Sequence, residues 1–197
     1  MNPYTNNQHE AFRQRIRAFA EQVIKPEARR LDREEKFSAE LTWKMAKNGL
    51  FGIAIPKAYG GQGLDYMSLV IAVEEMARID GSQAATVAAI NSLGIGPIYQ
   101  YGTEEQKARY LPPITREGKT WAFGLTEREA GSDSGATTTK AELKNGYWYI
   151  NGSKMFISNS SSEISGGITL QTITGKNGDR NEYSSIIVES DREGYTR

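Results

Sequence analysis

The stretch Trp121-Ala122-Phe123-Gly124-Leu125-Thr126-Glu127-Arg128-Glu129-Ala130-Gly131-Ser132-Asp133 marks a break in the patterning of this 197-residue chain. It begins like a strand and runs into a loop of hydroxyls, small residues and glycine. Before it, apolar residues recur at helical spacing; after it, the segments are short, aromatic and β-branched. Helices first and strands afterwards predict an α+β protein. The expected layout is an all-helical N-terminal domain over residues 1–119, followed by an antiparallel β-domain over 120–197.

Toward the N-terminus, Phe12, Ile16, Phe19, Val23 and Ile24 form one apolar stripe, with Asn6 or Asn7 as its cap. Lys25-Pro26 predicts a kink there, or a second helix running to Arg33. Ser38 is placed to cap a helix carrying Leu41, Met45 and Ala46, which Gly49 ends. Over residues 64–80, Leu69, Val70, Val73, Met76 and Ala77 share a face. Residues 82–101 are alanine-rich and apolar all round, the pattern of a buried helix, and Gly102 ends it. Thr103-Glu104-Glu105-Gln106 is a capping box opening a short helix that Pro112-Pro113 is expected to close. The first half is thus read as five or six helices.

Toward the C-terminus, Asn145-Gly146 between residues 140–144 and 147–150 is the strongest short hairpin signal in the chain. A second Asn-Gly, at 151–152, leads into an expected strand over 153–159. Residues 167–174 and 184–189 predict two more, around a polar turn at 175–180. No internal repeat is visible.

Composition narrows the chemistry. Counting glycine in and tyrosine out, the apolar share is about 43%, near the ~45–50% usual for a folded chain. Lys+Arg 24 balances Asp+Glu 24, so there is no basic field for a nucleic-acid backbone. The absence of cysteine removes disulfides, Fe–S clusters, thiolate zinc and a cysteine nucleophile. One histidine, His9, cannot supply a multi-His metal site. No apolar run reaches the ~18–20 residues of a membrane span, and residues 1–8 hold no apolar signal-peptide region. These features predict a soluble, cytoplasmic protein whose chemistry comes from a cofactor or from carboxylates.

Tyr59-Gly60-Gly61-Gln62-Gly63 has a dinucleotide-loop look, but position 66 is Tyr66 rather than glycine and no βαβ unit surrounds it. A tight interhelical loop is the better reading. Glu74-Glu75 and Glu104-Glu105 lie in helical segments and read as solvated surface. The 121–133 loop could bring backbone N–H groups and short hydroxyls against a flat polar ring or a phosphate, although Gly-Ser-Asp also makes ordinary turns. In Lys154-Met155-Phe156-Ile157-Ser158-Asn159, an expected strand puts Phe156 and Ser158 on one side. That arrangement offers an aromatic wall beside a hydroxyl; a core aromatic next to a serine is the plainer alternative.

Together these segments resemble the acyl-CoA dehydrogenases. Leu125-Thr126-Glu127-x-x-Ala130-Gly131-Ser132-Asp133 is similar to that family's best-known signature. Asn151-Gly152-Ser153-Lys154-Met155-Phe156-Ile157-Ser158-Asn159 is similar to its second flavin-contacting strand. Further resemblance lies in Ile55-Pro56-Lys57-Ala58-Tyr59-Gly60-Gly61-Gln62-Gly63, in Tyr101-Gly102-Thr103-Glu104-Glu105-Gln106-Lys107 and in Tyr110-Leu111-Pro112. The matches run through almost the whole chain in family order.

The resemblance implies FAD and the α,β-dehydrogenation of an acyl-CoA thioester. In that reaction a carboxylate takes the α-proton while a hydride leaves the β-carbon for flavin N5. Carried over by position, it implies that Phe123, Gly124, Leu125, Thr126, Gly131 and Ser132 line the FAD, with Ser132 also touching the substrate. Phe156 is then expected against the isoalloxazine, beside Ile157, and Ser158 near N5 or O4. Residues 84–98 are expected to line the acyl pocket. An electron-transfer flavoprotein as electron acceptor and a homo-oligomer, tetrameric in full-length relatives, are implied as well.

The chain also departs from the family. Arg128 and Glu129 fill the variable places where proline is usual after the motif's glutamate, Phe156 replaces a common tryptophan, and Ser158 a common threonine. The sequence stops at Arg197, about half the family's length, before the C-terminal helical domain that carries the catalytic glutamate. The expectation is a fragment or truncated form without that base. The rival is a non-catalytic remnant binding acyl-CoA or a protein partner.

Overall fold

The computed structural model describes residues 4–196. They form two compact units that meet between Lys119 and Thr120.

The first unit is helical. Asn6 caps α1 (Asn7–Phe19) in a reciprocal box: its side chain accepts from the His9 amide at 3.0 Å, and its own amide donates to His9 Nδ1 at 3.2 Å. At Lys25-Pro26 the chain does not stop. A single π-helical turn (Ala20–Ile24) passes α1 into α2 (Lys25–Glu34), placing Pro26 in the first turn of α2, where its missing N–H costs least. Ser38 caps α3 (Ala39–Lys47), and Gly49 follows it at φ +75°. Asp65 caps α4 (Tyr66–Ala77), and Asp80 caps α5 (Gly81–Ala89). A second π-turn (Ile90–Gly94) joins α5 to α6 (Ile95–Tyr101).

That π-turn presents Asn91 to the loop after α3. Its side chain accepts from the amides of Gly52 and Ile53, both at 3.0 Å, and donates to the carbonyls of Leu50 and Val87. Every polar valence of the amide is used, which fixes the loop. Ile16, Ile24, Leu41, Met45, Phe51, Ile71, Met76, Ile90, Ile95 and Ile98 are buried in the core, each contributing about 1.5–3 kcal/mol. The 82–101 segment is less enclosed than its composition predicts, for Leu93 is half exposed. The 59–63 stretch is a tight loop: a Cβ at Gly61 would overlap the Ile55 carbonyl.

Several expectations fail in this unit. Among the described residues it holds seven α-helices rather than five or six. α4 buries Ile71, Ala72 and Met76, while Val70 and Ala77 of the expected face are exposed. Pro112 and Pro113 do not close their helix; α7 runs Glu104–Glu117 straight through them and ends at Gly118, at φ +76°. Proline's fixed φ is helical, so the cost is lost amide bonds and crowding, offset here by burial of Leu111, Ile114 and Thr115. Glu75 is not surface. Its side chain is 1% exposed and accepts from Arg13 (2.8 Å), Arg17 (2.8 and 3.0 Å) and Arg78 (2.9 Å). The Arg17 hydrogen bonds, joined by those of Arg13 and Arg78, outweigh burial and lower its pKa to about 2.

The second unit is a five-stranded sheet: β1 (Thr120–Gly124), β2 (Lys140–Lys144), β3 (Tyr147–Asn151), β4 (Ser165–Asn177) and β5 (Arg180–Glu189). The β2–β3 hairpin turns on Asn145 and Gly146, both at positive φ, as this turn requires. β4 and β5 form the long antiparallel pair. The expected antiparallel domain is nevertheless a mixed sheet, because β1 pairs β4 in parallel (Trp121↔Gly167 to Gly124↔Leu170) and β2 joins β4 in parallel at Lys140↔Ile173. The long connection after β1 provides the crossover that parallel pairing needs. Trp121 lies over Gly167, where a side chain would collide with the indole, and its Nε1 donates to Thr169 Oγ1 at 3.1 Å.

Candidate functional site

β1 delivers the motif loop at its C-terminal end. At Gly124 a Cβ would press against the side-chain tips of Ile168 and Leu170 at 2.7 Å, so a larger residue would have to displace them. The chain then folds back on itself: the Glu127 amide donates to the Ala130 carbonyl at 2.9 Å, and the Ala130 amide to the Glu127 carbonyl at 3.3 Å. Arg128 and Glu129 sit at the exposed tip. Further on, Asp133–Ala136 close a short turn, and Tyr183 of β5 donates its hydroxyl to the Gly135 carbonyl at 2.6 Å.

Beneath this loop is a buried ion pair. The side chains of Glu127 and Lys154 are 5% and 6% exposed, with Nζ to Oε1 at 2.8 Å. Oε1 also accepts from the Thr139 amide (3.0 Å); Oε2 accepts from the Thr138 amide (2.7 Å) and hydroxyl (2.6 Å). Lys154 Nζ donates in addition to the Leu125 carbonyl at 2.9 Å. Burial alone would raise the Glu127 pKa. The hydrogen bonds from Lys154, Thr138 and Thr139 overcome it and hold the carboxyl far below the usual carboxylate range. Glu127 is therefore held as the carboxylate and is a poor proton acceptor.

The expected strand over 153–159 is not formed. β3 ends at Asn151, and the following segment is irregular, with Phe156 at φ +59° and Asn159 at φ +69°. Phe156 and Ser158 are thus not alternate residues of one strand. The partner here is nonlocal: the Met155 amide donates to the Thr126 carbonyl at 3.0 Å. That bond joins the two motif segments directly. Phe156 is 86% exposed. A bulky residue in left-handed backbone costs ~1–3 kcal/mol and such residues gather at functional sites; a phenyl ring left in water as well points to a missing contact.

The sequence-expected residues sort as follows. Phe123, Leu125 and Thr126 are half-buried along the loop's start, and Gly124 is buried. Gly131, Ser132, Phe156 and Ser158 are exposed, and Ile157 is half-buried. Among the described residues, the amides of Gly131 and Ser132 donate to no protein group. Neutral amides, hydroxyls and one bare aromatic face are the donor set that a flat heteroaromatic with a phosphate arm requires, so these residues fit a flavin dinucleotide. Lys154 was not legible as a site residue: a lone lysine in a short apolar segment carries no signal of its partner. Among the described residues there is no group of three potential metal ligands, and no helix is long and apolar enough to cross a membrane.

Comparison with known proteins places this geometry. Residues 6–118 match the acyl-CoA dehydrogenase N-terminal domain and residues 122–197 the acyl-CoA dehydrogenase middle domain. The chain is 39% identical over 189 residues to the short-chain-specific acyl-CoA dehydrogenase of Clostridium acetobutylicum, covering 96% of this chain and 49% of that protein. It is 41% identical over 191 residues to the 3-(aryl)acrylate reductase of Clostridium sporogenes, covering 97% and 50%. Among solved structures, the acyl-CoA dehydrogenase of Bacillus anthracis complexed with FAD superposes with a TM-score of 0.88 at 31% identity, over 98% of this chain and 33% of that one. The chain spans about half the length of the curated relatives it matches. With both domain matches in order along its length, this chain belongs to the acyl-CoA dehydrogenase family.

Proposed function

We propose that residues 120–197 form the flavin-facing wall of an FAD-dependent acyl-CoA dehydrogenase site, acting on the Cα–Cβ bond of an acyl-CoA thioester. The observation that carries this reading is Phe156, strained at φ +59° and 86% exposed, held beside the 125–132 loop. Bound FAD supplies a two-electron acceptor for that C–C bond. Phe156 offers the ring a face, while Phe123, Gly124, Leu125 and Ile157 shape its surroundings. Thr126 and Ser158 offer hydroxyls to its polar edge, where fixed donors stabilise developing charge. Gly131 and Ser132 present amides suited to a phosphate, and Ser132 reaches the CoA thioester as well.

The α-proton needs another acceptor, since Glu127 is buried, ion-paired and held ionised by its donors. We assign no base within residues 1–197 and place it in the half of the family's length that this chain does not cover. Electrons would leave to an electron-transfer flavoprotein. The same donor set also suits the opposite direction, reduction of an aryl acrylate, the activity carried in the name of one relative. The test is the visible absorption of the purified chain with FAD, followed by anaerobic addition of acyl-CoA or aryl acrylate. A structured flavin band supports the reading; a free-flavin spectrum counts against it.

A further inference from the structure

We propose that Glu127 and Lys154 are positioning residues for the flavin, an internal clamp that sets the motif loop and the Phe156 turn relative to one another. The inference rests on the functional reading above, but its geometry is independent of it. Lys154 stands two residues before Phe156, and Glu127 directly after Thr126. Their bond at 2.8 Å, the Lys154 bond to the Leu125 carbonyl and the Met155 amide bond to the Thr126 carbonyl tie the two segments at three points. The other carboxylate oxygen of Glu127 holds Thr138, two residues before β2 begins. A clamp of this kind explains how a strained aromatic stays in place without being packed. Its own side chain is in water, so the restraint must act through the backbone on either side.

A buried ion pair is often no more stabilising than apolar groups of the same size, whereas loss of one partner leaves a charge stranded. This separates positioning from stability. Glu127→Gln and Lys154→Met singly should lower the melting temperature. The double variant should recover most of that loss, because no charge is left unpaired. In the double variant, however, the clamp is gone. We expect amide exchange at Met155 to accelerate at least tenfold while β4 and β5 stay protected. Titrated into the chain, FAD should bind at least tenfold more weakly than to the parent, with a flavin band nearer that of the free cofactor.

A double variant that melts near the parent, protects Met155 equally and binds FAD with parental affinity and spectrum would overturn the proposal. A parent chain that shows no flavin band would instead defeat the functional reading. In that case exchange at Met155 still decides whether the pair holds the two segments together: parental protection in the double variant refutes the clamp, and its loss upholds it.

Discussion

The amide of Met155 donates to the carbonyl of Thr126 at 3.0 Å, linking two segments 29 positions apart in the chain. The segment after β3 leaves the ladder at Asn151, and beyond this bond Phe156 is turned outward at positive φ. The site's geometry depends on this bond and on the ion pair beneath it.

Removing the hydroxyls of Thr126 and Ser158 together should weaken FAD binding about tenfold. Each neutral hydrogen bond contributes ~0.5–1.5 kcal/mol, and ~1.4 kcal/mol is a factor of ten. Fluorescence titration of the double alanine variant checks this; parental affinity would mean that neither hydroxyl reaches the flavin.

Phe156→Gly should separate stability from function. Glycine relieves the left-handed strain, and little buried area is lost because the ring is exposed, so the second unit should gain about 1 kcal/mol. FAD affinity should fall at least tenfold as the aromatic face disappears. Thermal melts and FAD titration of the same sample give both numbers.

Glu75→Gln should destabilise the helical unit by ~3 kcal/mol, the low end for breaking a buried pair, since Arg17 and Arg78 remain partly hydrated. The pH dependence has a definite sign. The folded pKa, about 2, lies below the ordinary value of 4.5, so the unfolded state binds more protons between them. Stability is then complete above about pH 5 and falls as pH drops toward 2. Asp65, held at about 2 by the Ser68 amide and then by His9, adds to the same window. Helical ellipticity followed through acid titration should show a shallower loss in Glu75→Gln than in the parent.

Gly61→Ala should cost the first unit about 3 kcal/mol, because the new methyl would meet the backbone carbonyl of Ile55 rather than a side chain that can move. Urea unfolding monitored by helical signal measures it.

Most of the helices were legible because their ends are decided locally. Asn6, Ser38 and Thr103 each cap within three residues, and Asn145-Gly146 fixes the hairpin by its own φ preferences. What escaped was set by distant partners. Glu75 looked like surface until arginines of α1, about 60 positions away, closed over it. The helix through Pro112-Pro113 persists because Leu111 and Ile114 are buried, a fact local propensity cannot carry. Parallel pairing of β1 with β4, the broken 153–159 segment and the Glu127–Lys154 pair depend likewise on contacts between separated stretches. The motif residues themselves were found by resemblance, whereas the left-handed backbone at Phe156 was not.

The most direct measurement is the absorption spectrum of the purified chain after loading with FAD and exhaustive dialysis, read again after anaerobic addition of a panel of acyl-CoAs. The account predicts a retained flavin band with resolved vibronic shape, lost in Phe156→Gly, and no rapid bleaching by any acyl-CoA. The reason is that the motif's own carboxylate, Glu127, is tied to Lys154 and cannot take the α-proton, a base worth ~10²–10⁴ in rate. A colourless chain would contradict the flavin site, and rapid bleaching would contradict the absence of a base within residues 1–197.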